Sequence, residues 1–538
     1  MASGNPDRSG TSIWLLVKVI LLGMFCVAIY WFAQRQEIWV DETTQLSGIT
    51  LKFGDMLRWL GGHDVGRFGV PGDRMPPGSY ILDWIWLRSF GPSELGFRLF
   101  HASFLVAGVT VLVAVARRNL GLVGSFTTLM FLCLSPKLIE TAVEIRAYPM
   151  FFAATCAQIA IFVRILSDQD AIDRKLLISF VLVSLISIYT HFYGVVSSSS
   201  FFLALGLAYI QNRRLLVEIV LAFVVTTAGS IGVLPFVFSA VAGSKPGIVV
   251  ERATGLYQYP RYLLQLVGDS ANVVSIQAAI LFLGGAAVLC LTSAITATKR
   301  MLDGNAKPTD WLLIVIISGV SATLAASLLE KGFDPLKQSY SIWIFAPLAL
   351  FAPSGIIAPH GILHWKGVYG IAFAATAMGA AVSTYGFLVH ASEFIHGPGE
   401  FVDALYDRAD PPKAVIYDSG AAWGWSYFPL VFLHRGAVAQ FRPAEDGSEL
   451  VRIATGASQA GGPQPILAAV EPYQSVVLVG VQLRTYHDIR QCEQGVCPQF
   501  QEGEVEAALE KTGRWSAVAV SRQFGLYDAQ VKVLRRAD

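Results

Sequence analysis

IWLLVKVILLGMFCVAIYWFA, residues 13–33, runs directly into QRQEIWVDETTQLSG, residues 34–48, and the junction decides how the chain is read. The first stretch is about as long as the ~20 apolar residues that cross a bilayer as a helix. The second is more polar and carries two adjacent carboxylates, Asp41 and Glu42. The run exceeds a typical signal-peptide core and lacks a clear small-residue cleavage site, so it reads as a retained anchor with an acidic pair at one face of the membrane.

Outward from that junction the chain stays apolar. Hydrophobic residues make up 54% and charged residues 15%, with a mean hydropathy of +0.53, which excludes a water-soluble globule with a charged surface. The balance of 40 basic against 39 acidic residues supplies no field for a polyanion, so nucleic-acid partners are disfavoured. Apolar runs at about 12–33, 97–116, 120–136, 147–165, 176–193, 195–210, 215–240, 273–295, 310–329, 341–358 and 367–389 predict a polytopic α-helical membrane protein of about eleven spans. Alternate short loops carry the cations: Arg117 and Arg118, then Arg164, Arg174 and Lys175, then Arg213 and Arg214, then Lys299, Arg300 and Lys307. The positive-inside rule places those loops in the cytoplasm.

The opposite loops are long: 34–96, 241–272 and the tail from about 390. The chain is therefore divided into a membrane domain, 1–390, that includes a first outer loop at 34–96, and an extracytoplasmic domain at 391–538. A loop of sixty structureless residues is improbable. GITLKFGDMLRWLGG has Leu51, Phe53, Met56, Leu57 and Leu60 at helical spacing, which predicts an interfacial helix. The tail mixes strand-like AVIYDS and SVVLVGVQL with helix-like EGEVEAALEKTG, as in a small α/β domain. Cys492 and Cys497 in IRQCEQGVCPQF are close enough to bridge if the tail lies in an oxidising compartment, and are otherwise reduced thiols. The remaining cysteines sit in apolar runs and suggest no metal or redox centre.

With sidedness set, four polar clusters at span ends share the outer face: Asp41-Glu42, SPKLIETAVEIRAYP (135–149), YTHFYG (189–194) and DPLKQSY (334–340). Each alone has an ordinary explanation. An acidic pair after a span is commonly a solvated loop or helix cap, His191 suits a cap, and Glu144 with Arg146 suits a surface ion pair. Several ionisable groups gathered at one end of a bundle, however, define a functional-site hypothesis.

In the order of these motifs the chain resembles the GT-C integral-membrane glycosyltransferases, in particular the protein O-mannosyltransferase and aminoarabinose-transferase branch. WVDETTQ is similar to that family's acidic motif. RMPPGSYILDWIWLRSFGPSELGFRL is similar to its proline-led outer segment followed by G-x-S-E-L-x-x-R-L. SPKLIETAVEIRAYPMF matches an E-x-R-x-Y stretch and YTHFYG a T-H-x-Y element, so the likeness covers about 13–210, while DPLKQSYSIWIFAPLALFAP follows the pattern loosely.

The resemblance implies a GT-C-like fold and transfer of a sugar from a polyprenyl phosphate to an acceptor hydroxyl of a lipid, glycan or protein, with inversion. The implied location is the outer face of a bacterial cytoplasmic membrane. Asp41 would be the general base, with Glu42 positioning it or bonding the sugar. Arg146, Lys337, Arg67 and Arg74 are candidates for the lipid phosphate. Glu144, Tyr148, His191, Tyr193 and Tyr340 are candidates for sugar or phosphate oxygens. No nucleotide or other cofactor is implied, and no ligand set calls for a divalent ion. A transporter or flippase would more often show two related halves. A lipid-linked polysaccharide polymerase or ligase shares the large outer loop but not the early acidic pair, and a ligand-binding receptor would leave that pair unexplained.

Overall fold

The computed structural model describes residues 7–36, 40–63, 73, 75–167, 172–242, 276–329, 338–357, 366–389, 413–418, 449–454, 464–483, 492, 495–497, 499, 504–523 and 527–537. It divides into two units, Met1–Gln34 with Arg74–Ser79 and Arg98–His390, and Arg35–Asp73 with Tyr80–Phe97 and Ala391–Asp538. The segment read as a first outer loop thus falls mostly in the second unit.

In chain order the helices are α1 (Asp7–Ala33), α2 (Val40–Ile49), α3 (Phe53–Leu60), α4 (Pro77–Phe90), α5 (Glu94–Cys133), α6 (Pro136–Val143), α7 (Tyr148–Leu166), α8 (Arg174–Thr190), α9 (Tyr193–Ala208), α10 (Arg213–Ser230) and α11 (Leu234–Ala242). They continue with α12 (Ile276–Leu302), α13 (Leu312–Leu329), α14 (Ile342–Phe351) and α15 (Lys366–Val389). Among the described residues six helices are long and apolar enough to cross a membrane, and Tyr193–Ala208, Leu312–Ala326 and Ile342–Gly355 are shorter apolar helices. The chain is a multi-pass membrane protein. Spans expected at 97–116 and 120–136 form one helical run, α5, broken at Gly121, whose φ of 70° suits only a residue without Cβ.

The first unit is built around α7, which carries buried side chains along its length. A lipid-facing helix needs no polar groups, yet Gln158 is fully buried and serves three serines. Its Nε2 donates to Ser184 Oγ of α8 at 3.1 Å and Ser198 Oγ of α9 at 2.9 Å, and Ser197 Oγ donates back to its Oε1 at 3.1 Å. Small hydroxyl residues let the three backbones approach while the amide joins them. At another loop, Arg300 grips the fully buried Asp310 with two bonds, one of 2.8 Å from Nε, and the Lys307 amide adds a third at 2.8 Å.

In the second unit, α3 forms where the apolar spacing asked for it, with Met56, Trp59 and Leu60 buried. Its apolar side meets α4: the Trp59 and Tyr80 rings lie 5.9 Å apart and Phe53 and Trp84 5.4 Å. α2 is tied to α4 by Gln45 Nε2 donating to Asp83 Oδ2 at 2.8 Å, both side chains being fully buried. Gly48 faces Trp59 and Tyr80 so closely that a methyl group there would overlap both rings.

The described residues of the tail form five strands, β1 (Lys413–Asp418), β2 (Glu449–Ala454), β3 (Ser475–Leu483), β4 (Trp515–Gln523) and β5 (Tyr527–Arg536), in the order β2-β1-β3-β5-β4. The β2-β1-β3 part is parallel and the β3-β5-β4 part antiparallel. Helices α16 (Gln464–Val470) and α17 (Glu504–Lys511) cover one face through Val470, Val505 and Leu509 on Ala414, Ile416 and Leu478. Asp528, fully buried on β5, takes two bonds from Arg522 on β4 at 2.7 and 2.6 Å, which raises the guanidinium pKa above its ordinary value. Cys492 and Cys497 are joined by a disulfide.

Candidate active site

The site in the first unit begins with α6. Ser135 caps it by accepting from the Leu138 amide at 3.3 Å, and Pro136 follows at a position whose missing N–H costs nothing. At the other end the fully buried Arg98 donates from Nη1 to the Val143 carbonyl at 2.8 Å, satisfying a terminal acceptor with a cation where the helix dipole favours one. The backbone then runs extended through Glu144, with φ −67° and ψ 127°, before α7 starts at Tyr148 with Pro149 in its first turn. Glu144, Arg146 and Tyr148 project from this break, and all three are buried.

The second contributor is the break between α8 and α9. His191 ends α8 in an extended conformation, and its Nδ1 accepts from the Tyr193 amide at 3.1 Å. An imidazole whose Nδ1 is an acceptor carries its proton, when neutral, on Nε2, which makes that atom the donor. The ring stacks on Phe151 at 4.9 Å and a 10° interplanar angle. The break is tight because Gly194 lies against the α8 backbone: a Cβ there would come 2.6 Å from the Ile188 nitrogen. Gly78, in the proline-led segment, packs equally closely on α8, where a Cβ would meet the Tyr189 carbonyl oxygen at 2.5 Å.

Tyr340 completes the set from a short 3-10 turn, Gln338–Ser341, that leads into α14. Its ring is 5.6 Å from His191, 5.7 Å from Tyr193 and 6.3 Å from Tyr148, and Tyr148 is 5.5 Å from His191. Residues far apart in sequence thus form one aromatic and imidazole cluster beside the Glu144–Arg146 turn. Rings so arranged offer flat apolar faces for a sugar and hydroxyl or N–H donors for its oxygens.

Asp41 and Glu42 lie in the first turn of α2, in the second unit, where Glu42 is fully buried. Lys337, Arg67 and Arg74 fall outside the described residues. Sequence reasoning did not single out Lys137, Glu140, Arg98 or Phe151. Arg98 was nevertheless present as the arginine of G-x-S-E-L-x-x-R-L, and Lys137 and Glu140 stand at the i, i+3 spacing of a helical ion pair. Among the described residues no three His, Cys, Asp or Glu side chains are grouped to hold a metal ion.

The chain has a GT-C glycosyltransferase fold. Among solved structures, the chain is similar to ArnT from Cupriavidus metallidurans. In the form bound to undecaprenyl phosphate the match has 12% identity and a TM-score of 0.55 over 98% of each chain. In the apo state it has 13% identity and a TM-score of 0.55 over 97% of this chain and 98% of that one. The Archaeoglobus fulgidus oligosaccharyltransferase, in complex with Zn and sulfate, aligns at 10% identity over 84% of this chain and 67% of its own, with a TM-score of 0.42. No protein-family profile and no curated protein matches the sequence.

Proposed function

We propose that the protein is an inverting glycosyltransferase that moves one sugar from a polyprenyl-phosphate donor to an acceptor hydroxyl at the outer face of a bacterial cytoplasmic membrane. The observation that carries the reading is the convergence of the Glu144–Arg146 turn with Tyr148, His191, Tyr193 and Tyr340, in a fold shared with a protein that binds undecaprenyl phosphate. The tail from residue 391 is then an extracytoplasmic domain, in keeping with its disulfide.

In this reaction the acceptor oxygen attacks C1 as the C1–O bond to phosphate breaks. Asp41 takes the acceptor proton, a role worth about 10²–10⁴ in rate. Glu42 positions Asp41. Charge leaves the sugar ring and gathers on the departing phosphate, so a fixed cation beside it lowers the barrier. Arg146 is that cation, with Lys337, Arg67 and Arg74 as further contributors. His191 donates from Nε2 to a donor oxygen, the tyrosines bracket the sugar, and Glu144 accepts from its hydroxyls.

Asp41→Asn is nearly isosteric and tests the base directly. With polyprenyl-phosphate sugars and the purified variant, turnover should fall by at least ~10² while donor affinity is retained. Wild-type turnover in that variant would remove Asp41 from the chemistry.

A further inference from the structure

Lys137 is a buried cation that the proposed chemistry leaves unused. It occupies the first turn of α6, directly after Pro136, where the positive end of the helix dipole disfavours an ammonium group. Its side chain is nevertheless only 11% exposed, with Nζ 3.0 Å from Glu140 Oε2 and 4.0 Å from Glu144 Oε1. The Glu140 contact is a local one along α6. The Glu144 contact reaches beyond the end of the helix into the extended turn, two residues before Arg146.

A buried ion pair is weak evidence for stability, because desolvation offsets much of the attraction. Its position carries more information. Lys137 couples the start of α6 to the turn that bears Arg146 and Tyr148. Were its charge removed, the Glu144 carboxylate would have Arg146 as the nearest cation along the chain, and a guanidinium drawn to a carboxylate is weakened as a phosphate ligand.

We propose that Lys137 is a positioning residue: it holds Glu144 toward α6, so that Arg146 serves the donor phosphate. This deepens the polyprenyl-phosphate reading and rests on it. In this role Lys137 acts through Glu144 rather than on the phosphate or the sugar.

The test is binding of sugar-free polyprenyl phosphate to the purified full-length chain in lipid nanodiscs, where the sugar contacts of Glu144 do not enter. Two charge-balanced variants, Lys137→Met with Glu140→Gln and Lys137→Met with Glu144→Gln, remove the same charges and differ in which carboxylate remains. With Glu144 left, affinity should fall about tenfold, the scale of coupling between contacting charges; with Glu140 left, it should stay within about threefold of wild type. Lys137→Arg should also stay within about threefold. Equal affinities in the two double variants overturn the proposal, since a merely structural lysine would affect both alike. Wild-type protein that does not bind polyprenyl phosphate overturns the donor reading as well, a separate result because it needs no variant.

Discussion

Replacing Gln158 by leucine tests whether the bundle around the site is joined by polar contacts or by shape alone. The substitution keeps most of the side-chain volume and deletes bonds of 3.1, 2.9 and 3.1 Å that link α7 to Ser184, Ser198 and Ser197. Interhelical hydrogen bonds in membrane proteins average about 0.6 kcal/mol each, because the unfolded state in the membrane also finds partners. Three of them give roughly 2 kcal/mol. The serines bear little residual penalty, since a helical hydroxyl can turn to the carbonyl four residues back. Ser198→Ala removes one bond and should cost about a third as much, and combined with Gln158→Leu it should add little, because the bond is already gone. The assay is equilibrium unfolding of the purified protein in mixed micelles. Sugar transfer at 25 °C should persist, because Gln158 lies ten residues along α7 from Tyr148 and so about 15 Å away. A loss below about 0.5 kcal/mol would show that packing alone fixes the three helices. Abolished transfer in a folded variant would show that the amide belongs to the chemistry.

The α8–α9 break should be intolerant of side-chain bulk: Gly194→Val places methyl groups against the Ile188 nitrogen, and should lower both thermal stability and donor affinity as His191 is displaced. Gly54, where an added Cβ meets nothing within 4 Å, is the control position, and Gly54→Ala should leave both unchanged. Arg300→Gln strands the buried carboxylate of Asp310 and should cost about 3–5 kcal/mol, read as lost expression or lowered melting temperature. Adding Asp310→Asn should recover much of it; failure to recover would mean that the guanidinium has a role beyond neutralising that charge.

The fold was legible where the physics is one-dimensional. Bilayer thickness sets the length of an apolar run, so α1, α7 and α15 stand close to where composition placed them. Gly121 was harder, because a break inside an apolar stretch changes no hydropathy average, and only a positive φ in the folded chain reveals it. The candidate cluster was legible in part because its members sit at helix ends, where a polar residue after a long apolar run stands out. His191, Tyr193 and Tyr340 were found that way, and their mutual distances of 5.6–5.8 Å are what local sequence cannot give.

Two of the residues that escaped, Lys137 and Arg98, are charges that become buried only in the folded chain. Lys137 between two apolar runs reads as an ordinary loop cation, and Arg98 as a residue at the rim of a span. Each is almost wholly buried in the folded chain, Lys137 beside Glu140 and Glu144 and Arg98 donating to the Val143 carbonyl. Their cost is incurred in the folded state and is invisible in composition. A charge that must be desolvated adds little net stability, since apolar substitution often does at least as well. Arg98 fixes the C-terminal end of α6 and Lys137 reaches the carboxylate just beyond it, so the two cations constrain the same four-residue turn from opposite ends of one short helix. That turn carries Arg146. If Arg146 serves the phosphate as proposed, variants of either cation should alter phosphate binding before they alter the aromatic cluster.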